Sequence, residues 1–404
     1  MFPPEITIHI LSFLDAKLDK RILQNCALVD SVWLSAAQPI IFNHLSLSLT
    51  PPHHEDYESL SFQLIESHKR LLEALDTHPH LASYIRSVRL KNFEVHISRR
   101  ANVRWAEESA SVARVVSRLS NVRSLTLFRM GPQTLDLSLQ EAIYRLFRLS
   151  SITSLEISHS NFASFSHFME MVSSPPNLAR ISLTSLLFPR IGDPAPARTP
   201  PHPVYSLDLG VVRMEPFASY FASSQCAFDF SGLENLRLNQ PRDGGAQSVL
   251  ALVGRGLKHL ELADIPTSEK DSNLKLNDNV PILRSLLLGV RHTSTHSPVS
   301  WIQSLFAASE SHSSSIESIT LRMELDVPED EGTFATFLAP WRAVDALFSD
   351  SLTFPLLHSV SIELYKGSAI SLNLIRHQFP TLAGDGRIKV TKEWEMRPSP
   401  TTWR

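Results

Sequence analysis

Val122–Leu127 reads VRSLTL, an apolar-x-x-apolar-x-apolar phrase, and nine further copies of it run along the chain. They are IRSVRL from Ile85, ITSLEI from Ile152, LARISL from Leu178, VYSLDL from Val204, LENLRL from Leu233, LKHLEL from Leu257, LRSLLL from Leu283, IESITL from Ile316 and LHSVSI from Leu357. Successive copies start 24 to 41 residues apart. The last three positions of each alternate apolar, polar, apolar, as a strand with one buried face requires, and the spacing leaves room for a helix or loop to return to the same sheet edge. The pattern therefore predicts a stack of parallel strands rather than a set of unrelated domains.

Several intervening segments have helical spacing. Leu60, Leu64, Leu71, Leu72 and Leu75 share one side of 59–82; Val112, Val115, Val116 and Leu119 share one side of 105–119; Ile143, Leu146, Phe147 and Leu149 do so in 139–149. Further helices are expected over 163–173, 216–228, 244–253, 299–309 and 340–348. Residues 188–203 hold six prolines and are expected to run as an irregular loop, because proline lacks the amide donor that helices and ladders need. Residues 263–282 are polar, lack an apolar stripe and are also read as a loop.

The composition excludes several classes. The two cysteines, Cys26 and Cys226, are 200 positions apart, which gives neither a disulfide framework nor a zinc spacing and suits a reducing compartment. The first residues place Glu5 and His9 inside the apolar stretch and do not read as a signal peptide. No apolar run of about 18 residues is present, so no membrane contact is expected. With 38 basic and 41 acidic residues the net charge is −3, which gives no reason to expect nucleic acid. The expected location is cytoplasmic, nuclear or both. The 17 histidines show no ligand spacing, His53-His54 and His78-Pro79-His80 lacking a cysteine or carboxylate partner, and no phosphate-binding or nucleophile motif is present. No enzyme activity, metal or cofactor is expected.

The segment before the repeats reads MFPPEITIHILSFLDAKLDKRILQNCALVDSVWLSAAQPIIFNHLSLSL over residues 1–49. Pro3 and Pro4 suit the first turn of a short helix carrying Ile6, Ile10, Leu11, Phe13 and Leu14. A second helical stripe follows through Ile22, Leu23, Cys26, Leu28, Val29, Val32, Trp33 and Ala36, with Pro39 expected to end it.

PPEI at Pro3–Ile6, ILSFL at Ile10–Leu14, CALV at Cys26–Val29, Trp33-Leu34 and Phe42 ahead of a strand together resemble an F-box, and the whole order resembles the F-box proteins with leucine-rich repeats common in mushroom-forming fungi. The resemblance implies an α/β leucine-rich-repeat solenoid, with a curved parallel sheet on its concave side and helices and loops outside, behind a small three-helix module. The module would span 1–45, the solenoid 46–395 and a C-terminal tail 396–404. It further implies a substrate-recognition subunit of a Skp, cullin and F-box ubiquitin ligase, ubiquitin transfer being done by other subunits. Carried over position by position, the adaptor-facing set is Pro3, Pro4, Ile6, Ile10, Leu11, Leu14, Leu28, Val29 and Trp33, with a protein substrate held on the solenoid. Where the family usually has a cysteine and a basic residue ahead of the tryptophan, this chain has Asp30, Ser31 and Val32. An unpaired carboxylate at an interface is costly, so Asp30 favours the alternative of a non-catalytic repeat scaffold that does not engage the ligase.

Seven repeats carry serine just before the central apolar residue, Ser87, Ser124, Ser154, Ser206, Ser285, Ser318 and Ser359, on the face turned away from the core. The charged candidates on that face are Arg89, Glu156, Asp208, Arg237, Glu261 and Arg322. The basic ones, with Lys91, are spread over distant repeats and are not expected to form one phosphate site.

Overall fold

The computed structural model describes residues 3–14, 19–49, 57–93, 103–191, 201–239, 244–265, 274–276, 279–293, 297–307, 314–325, 336–365 and 372–394. The chain divides into two compact units, Met1–His202 and Pro203–Arg404. Both are α/β, built from parallel strands and intervening helices.

The first unit opens with three short helices, α1 (Pro4–Leu11), α2 (Lys20–Cys26) and α3 (Ser31–Ile41). Leu11, Leu23 and Ala37 form their buried centre, with Leu14, Cys26, Ala27, Trp33, Ala36, Ile40 and Ile41 packed around it. The stripe from Ile22 to Ala36 is thus two helices, not one. The break is made by Asp30, whose Oδ1 accepts from the backbone N–H of Val32 at 2.8 Å and of Trp33 at 2.9 Å, an N-cap that satisfies donors a new helix start leaves open. Pro39 does not end α3, which continues to Ile41. The proline lies in the last turn, where it removes a single amide, and Phe42 N–H closes that turn onto Gln38 O at 2.9 Å.

Five parallel strands follow in chain order, His44–Ser48, Ser87–Phe93, Ser124–Met130, Ser154–Ser158 and Arg180–Thr184. Among the described residues the second unit has seven, Ser206–Leu209, Asn235–Asn239, His259–Ile265, Ser285–His292, Ser318–Leu325, Ser359–Tyr365 and Ile388–Trp394. All ten quoted phrases contribute a strand, in a register that stacks their central apolar residues: Val88, Leu125, Leu155 and Ile181 in the first unit, Leu207, Leu236, Leu260, Leu286, Ile319 and Val360 in the second. Every one of these side chains is buried. The alternate positions stay partly open on the other face of the strands.

The sequence expectation for 59–82 needs correction. The helix Tyr57–Thr77 buries Ser61, Ile65, His68 and Leu75, whereas Leu60, Leu64, Leu71 and Leu72 are only half-buried. Polar residues can take the inner line because the helix Val103–Ser117 offers them partners. Ser61 Oγ donates to Glu108 Oε2 at 3.1 Å, and His68 Nδ1 lies 3.1 Å from Ser111 Oγ. Residues 263–282 also differ from a plain loop, since the strand extends to Ile265 and Leu274 and Leu276 are buried, Leu276 N–H reaching Leu305 O at 3.0 Å. Residues 192–200 of the proline-rich stretch, His53-His54 and the tail 396–404 lie outside the described residues. Among the described residues no helix is long and apolar enough to cross a membrane.

Candidate functional site

Two kinds of surface carry the residues singled out by sequence, the outside of the three-helix module and the open faces of the strands. On the module, α1 turns Thr7 and Leu11 inward, so Ile6 and Ile10, one turn apart, are left outside at 45% and 41% exposure. Leu28 and Val29, in the turn between α2 and α3, are 85% and 64% exposed. Pro3 and Pro4 are exposed as well. Leu11 is a correction: it is fully buried at the centre of the module, where it holds the helices together and presents nothing to a partner. Leu14 and Trp33 are half-buried against the same centre. Ile8, Phe13, Ile22 and Leu34 are further exposed apolar residues outside the adaptor-facing set carried over from the resemblance, although Phe13 and Leu34 lie within its motifs.

The strand faces differ between the units. In the second, Arg237 lies between Asp208 Oδ2 at 4.0 Å and Glu261 Oε1 at 3.3 Å. Arg322 donates to Glu363 Oε2 at 2.8 Å and also reaches Glu261 Oε1 at 3.5 Å. Arg237 and Arg322 therefore meet at one carboxylate, which corrects the expectation that they stand apart. Arg322 reaches past a whole strand to do so, and it can because the residue paired with it on that strand is Gly289, which has no side chain in the way. Both guanidinium groups are committed to carboxylates, so the row is charge-paired and poorly suited to an incoming phosphate.

In the first unit the charges are less evenly matched. Glu156 accepts from Thr126 Oγ1 at 3.2 Å, its neighbour in the register. Arg89, Arg129 and Arg180 are exposed, and among the described residues none of the three is in an ion pair. The strand ends have a repeated feature that no sequence motif announced. Asn92, Arg129, His159 and Ser185, each five positions after the first residue of its strand, all have left-handed backbone, with φ of 61°, 53°, 52° and 53°. Such a residue interrupts the alternation of a strand. Lys91 with Asn92, Phe128 with Arg129 and Thr184 with Ser185 consequently stay unburied as adjacent pairs, and the next residues, Phe93, Met130 and Leu186, return to the core. The signal was present in the sequence as a buried residue three positions after the last alternating one, out of phase with a two-residue period.

On this shelf the Arg129 guanidinium lies over the Phe128 ring, 5.3 Å from its centre, and Phe128 meets His159 edge to face at 5.4 Å. Burial, with the Arg129 charge added, lowers the His159 pKa and favours the neutral ring. Burial likewise lowers His68 and pulls His292 down to about 4. His292 Nδ1 accepts from Trp341 Nε1–H at 3.0 Å, and its ring stacks on Phe337. These imidazoles are built into packing. Among the described residues no group of three or more His, Cys, Asp or Glu is placed to hold a metal ion.

No known protein-family model matches this chain, and no curated protein is similar to it.

Proposed function

We propose that the chain is a leucine-rich-repeat solenoid fronted by an F-box, acting as a substrate receptor that docks on a Skp-type adaptor of a cullin ubiquitin ligase. The observation that supports this most is the outside of the three-helix module, where Ile6, Ile10, Leu28 and Val29 are exposed beside Pro3 and Pro4 while the centre is filled by other residues. A small helical module with a satisfied core has no internal use for four open aliphatic side chains, and anchors of this kind concentrate binding energy at protein interfaces. Asp30, the residue that argued for a scaffold without the ligase, has a structural use of its own, since its Oδ1 caps α3. In this reading the strand faces capture a protein substrate, and ubiquitin transfer belongs to other subunits.

The test is affinity capture and calorimetry with a purified Skp-type adaptor. Wild-type protein should bind at micromolar concentration or tighter, and the double change Pro4→Ala with Ile6→Ala should weaken binding by about a hundredfold while leaving the melting temperature almost unchanged, because the removed area is buried only in the complex. Leu11→Ala should instead lower stability. Folded wild-type protein that binds no adaptor would leave the scaffold alternative standing.

A further inference from the structure

We propose that the open strand face of the first unit is a docking surface for an acidic, carboxylate-rich segment of a partner protein, with Arg89, Arg129 and Arg180 as its anchors. The inference deepens the receptor reading by naming the chemistry of what is captured.

The register fixes where these cations stand. Arg89 and Arg129 lie on the adjacent strands Ser87–Phe93 and Ser124–Met130, and Arg180 begins the strand Arg180–Thr184, two further along. Arg180 is level with Ser87, two residues before Arg89, and Arg129 is level with Asn92, three beyond it; at a strand separation of about 4.8 Å and a rise of about 3.3 Å per residue the outermost pair, Arg129 and Arg180, stand roughly 19 Å apart, a distance covered by an extended segment of about six residues. All three are exposed. Against these the described part of the face sets one carboxylate, Glu156, which Thr126 already engages. The field over the face is therefore positive, although the chain as a whole carries −3.

The left-handed shelf gives the cations company suited to carboxylates. It lines up an amide in Asn92, a guanidinium in Arg129, an imidazole in His159 and a hydroxyl in Ser185 on four consecutive strands. Each can donate a hydrogen bond.

A protein segment fits better than nucleic acid. Three cations over four strands are sparse beside a duplex carrying one charge per ~1.7 Å, and the carboxylate of Glu156 among the arginines would repel a continuous phosphate chain. A peptide can place an amide or hydroxyl opposite Glu156 and carboxylates on either side. The second unit provides the contrast, since Arg237 and Arg322 are held by Asp208, Glu261 and Glu363 and have no charge to spare.

Fluorescence anisotropy of the full chain with a labelled oligoglutamate tests this. Binding should weaken with added salt, and Arg89→Gln with Arg129→Gln should reduce affinity by about tenfold, the loss expected from two exposed ion pairs. Arg237→Gln with Arg322→Gln, which removes the same charge from the other unit, should leave it unchanged. If the first double variant proves misfolded by circular dichroism, Arg180→Gln alone replaces it, with a smaller loss expected. No binding of oligoglutamate by folded protein, equal losses from the two double variants, or tighter binding of labelled oligothymidylate would each overturn the proposal. Adaptor binding measured on the same samples keeps the two readings apart, because neither strand-face variant touches α1 and the Pro4→Ala, Ile6→Ala variant leaves this face intact.

Discussion

The two units raise parallel strands with the same buried columns and then treat the opposite face differently. In the second unit, sign alternates from Asp208 to Arg237 to Glu261, and Arg322 with Glu363 extends the row, so each charge is answered within the sheet. In the first unit Arg89, Arg129 and Arg180 stand without such answers, and left-handed residues recur at the strand ends. The lesson is that a repeat which dictates the core leaves the exposed columns free to vary. One face can become electrostatically closed while another remains available, at no cost to the packing beneath either.

The comparison can be broken most severely at the core. Leu125→Ala in the first unit and Leu236→Ala in the second remove fully packed strand residues, 0% and 2% exposed, and each should cost about 2 to 5 kcal/mol in a denaturant titration. Similar losses would show that the units share one packing scheme; a near-neutral result in either would mean that its strands are not packed as described.

Acid should sharpen the comparison next. His292 is buried, and its pKa falls from an ordinary 6.5 to about 4, so the folded state resists the proton that the unfolded chain accepts. For a base depressed in this way, stability is full above the unfolded value and is lost as pH falls from 6.5 towards 4, by as much as about 3 kcal/mol. Thermal melts of the second unit's signals between pH 7 and pH 4 should show this decline, and His292→Gln should flatten it. His68 in the first unit shifts in the same direction, so acid should weaken both units and not separate their faces.

The smallest effect is expected from the charge row itself. Glu261→Gln removes the carboxylate shared by Arg237 and Arg322, yet all three side chains are partly exposed, and the change should cost less than about 1 kcal/mol and less still in high salt. Its informative outcome is different: Arg322 stays on Glu363, but Arg237 keeps only the 4.0 Å contact with Asp208, so the second unit's face should gain some affinity for oligoglutamate, becoming more like the first.

Much of this architecture was legible in the chain because burial imposes period. Leu125-x-Leu127 or Leu286-x-Leu288 can sit in a strand with one buried face and in little else, so the ten phrases located ten strands and left the edge strand Ile388–Trp394, whose phrase lacks the leading apolar position, unread. What stayed hidden depended on partners distant in sequence. Ser61 and His68 look like the polar side of a helix until Glu108 and Ser111 are brought against them. Arg237 and Arg322 look remote until parallel register places Glu261 between them. Leu11 and Ile10 are neighbours of one chemical kind, and only the packing of α1 on its companions decides which is core and which is surface. The Asp30 cap is the contrary case, made with amides only two and three residues ahead and so readable from the sequence as a helix start.

Gly289 has a further consequence. In stacked parallel strands each strand normally feels only the two beside it, and fraying at one end can stop at any boundary. By leaving a lane for Arg322 to reach Glu261, Gly289 ties the strands His259–Ile265 and Ser318–Leu325 to each other as well as to the strand between them. The two outer strands thus share one weak tether, and opening of either to solvent should be coupled to the other by less than about 1 kcal/mol, a small shift in amide-hydrogen exchange that Glu261→Gln should remove.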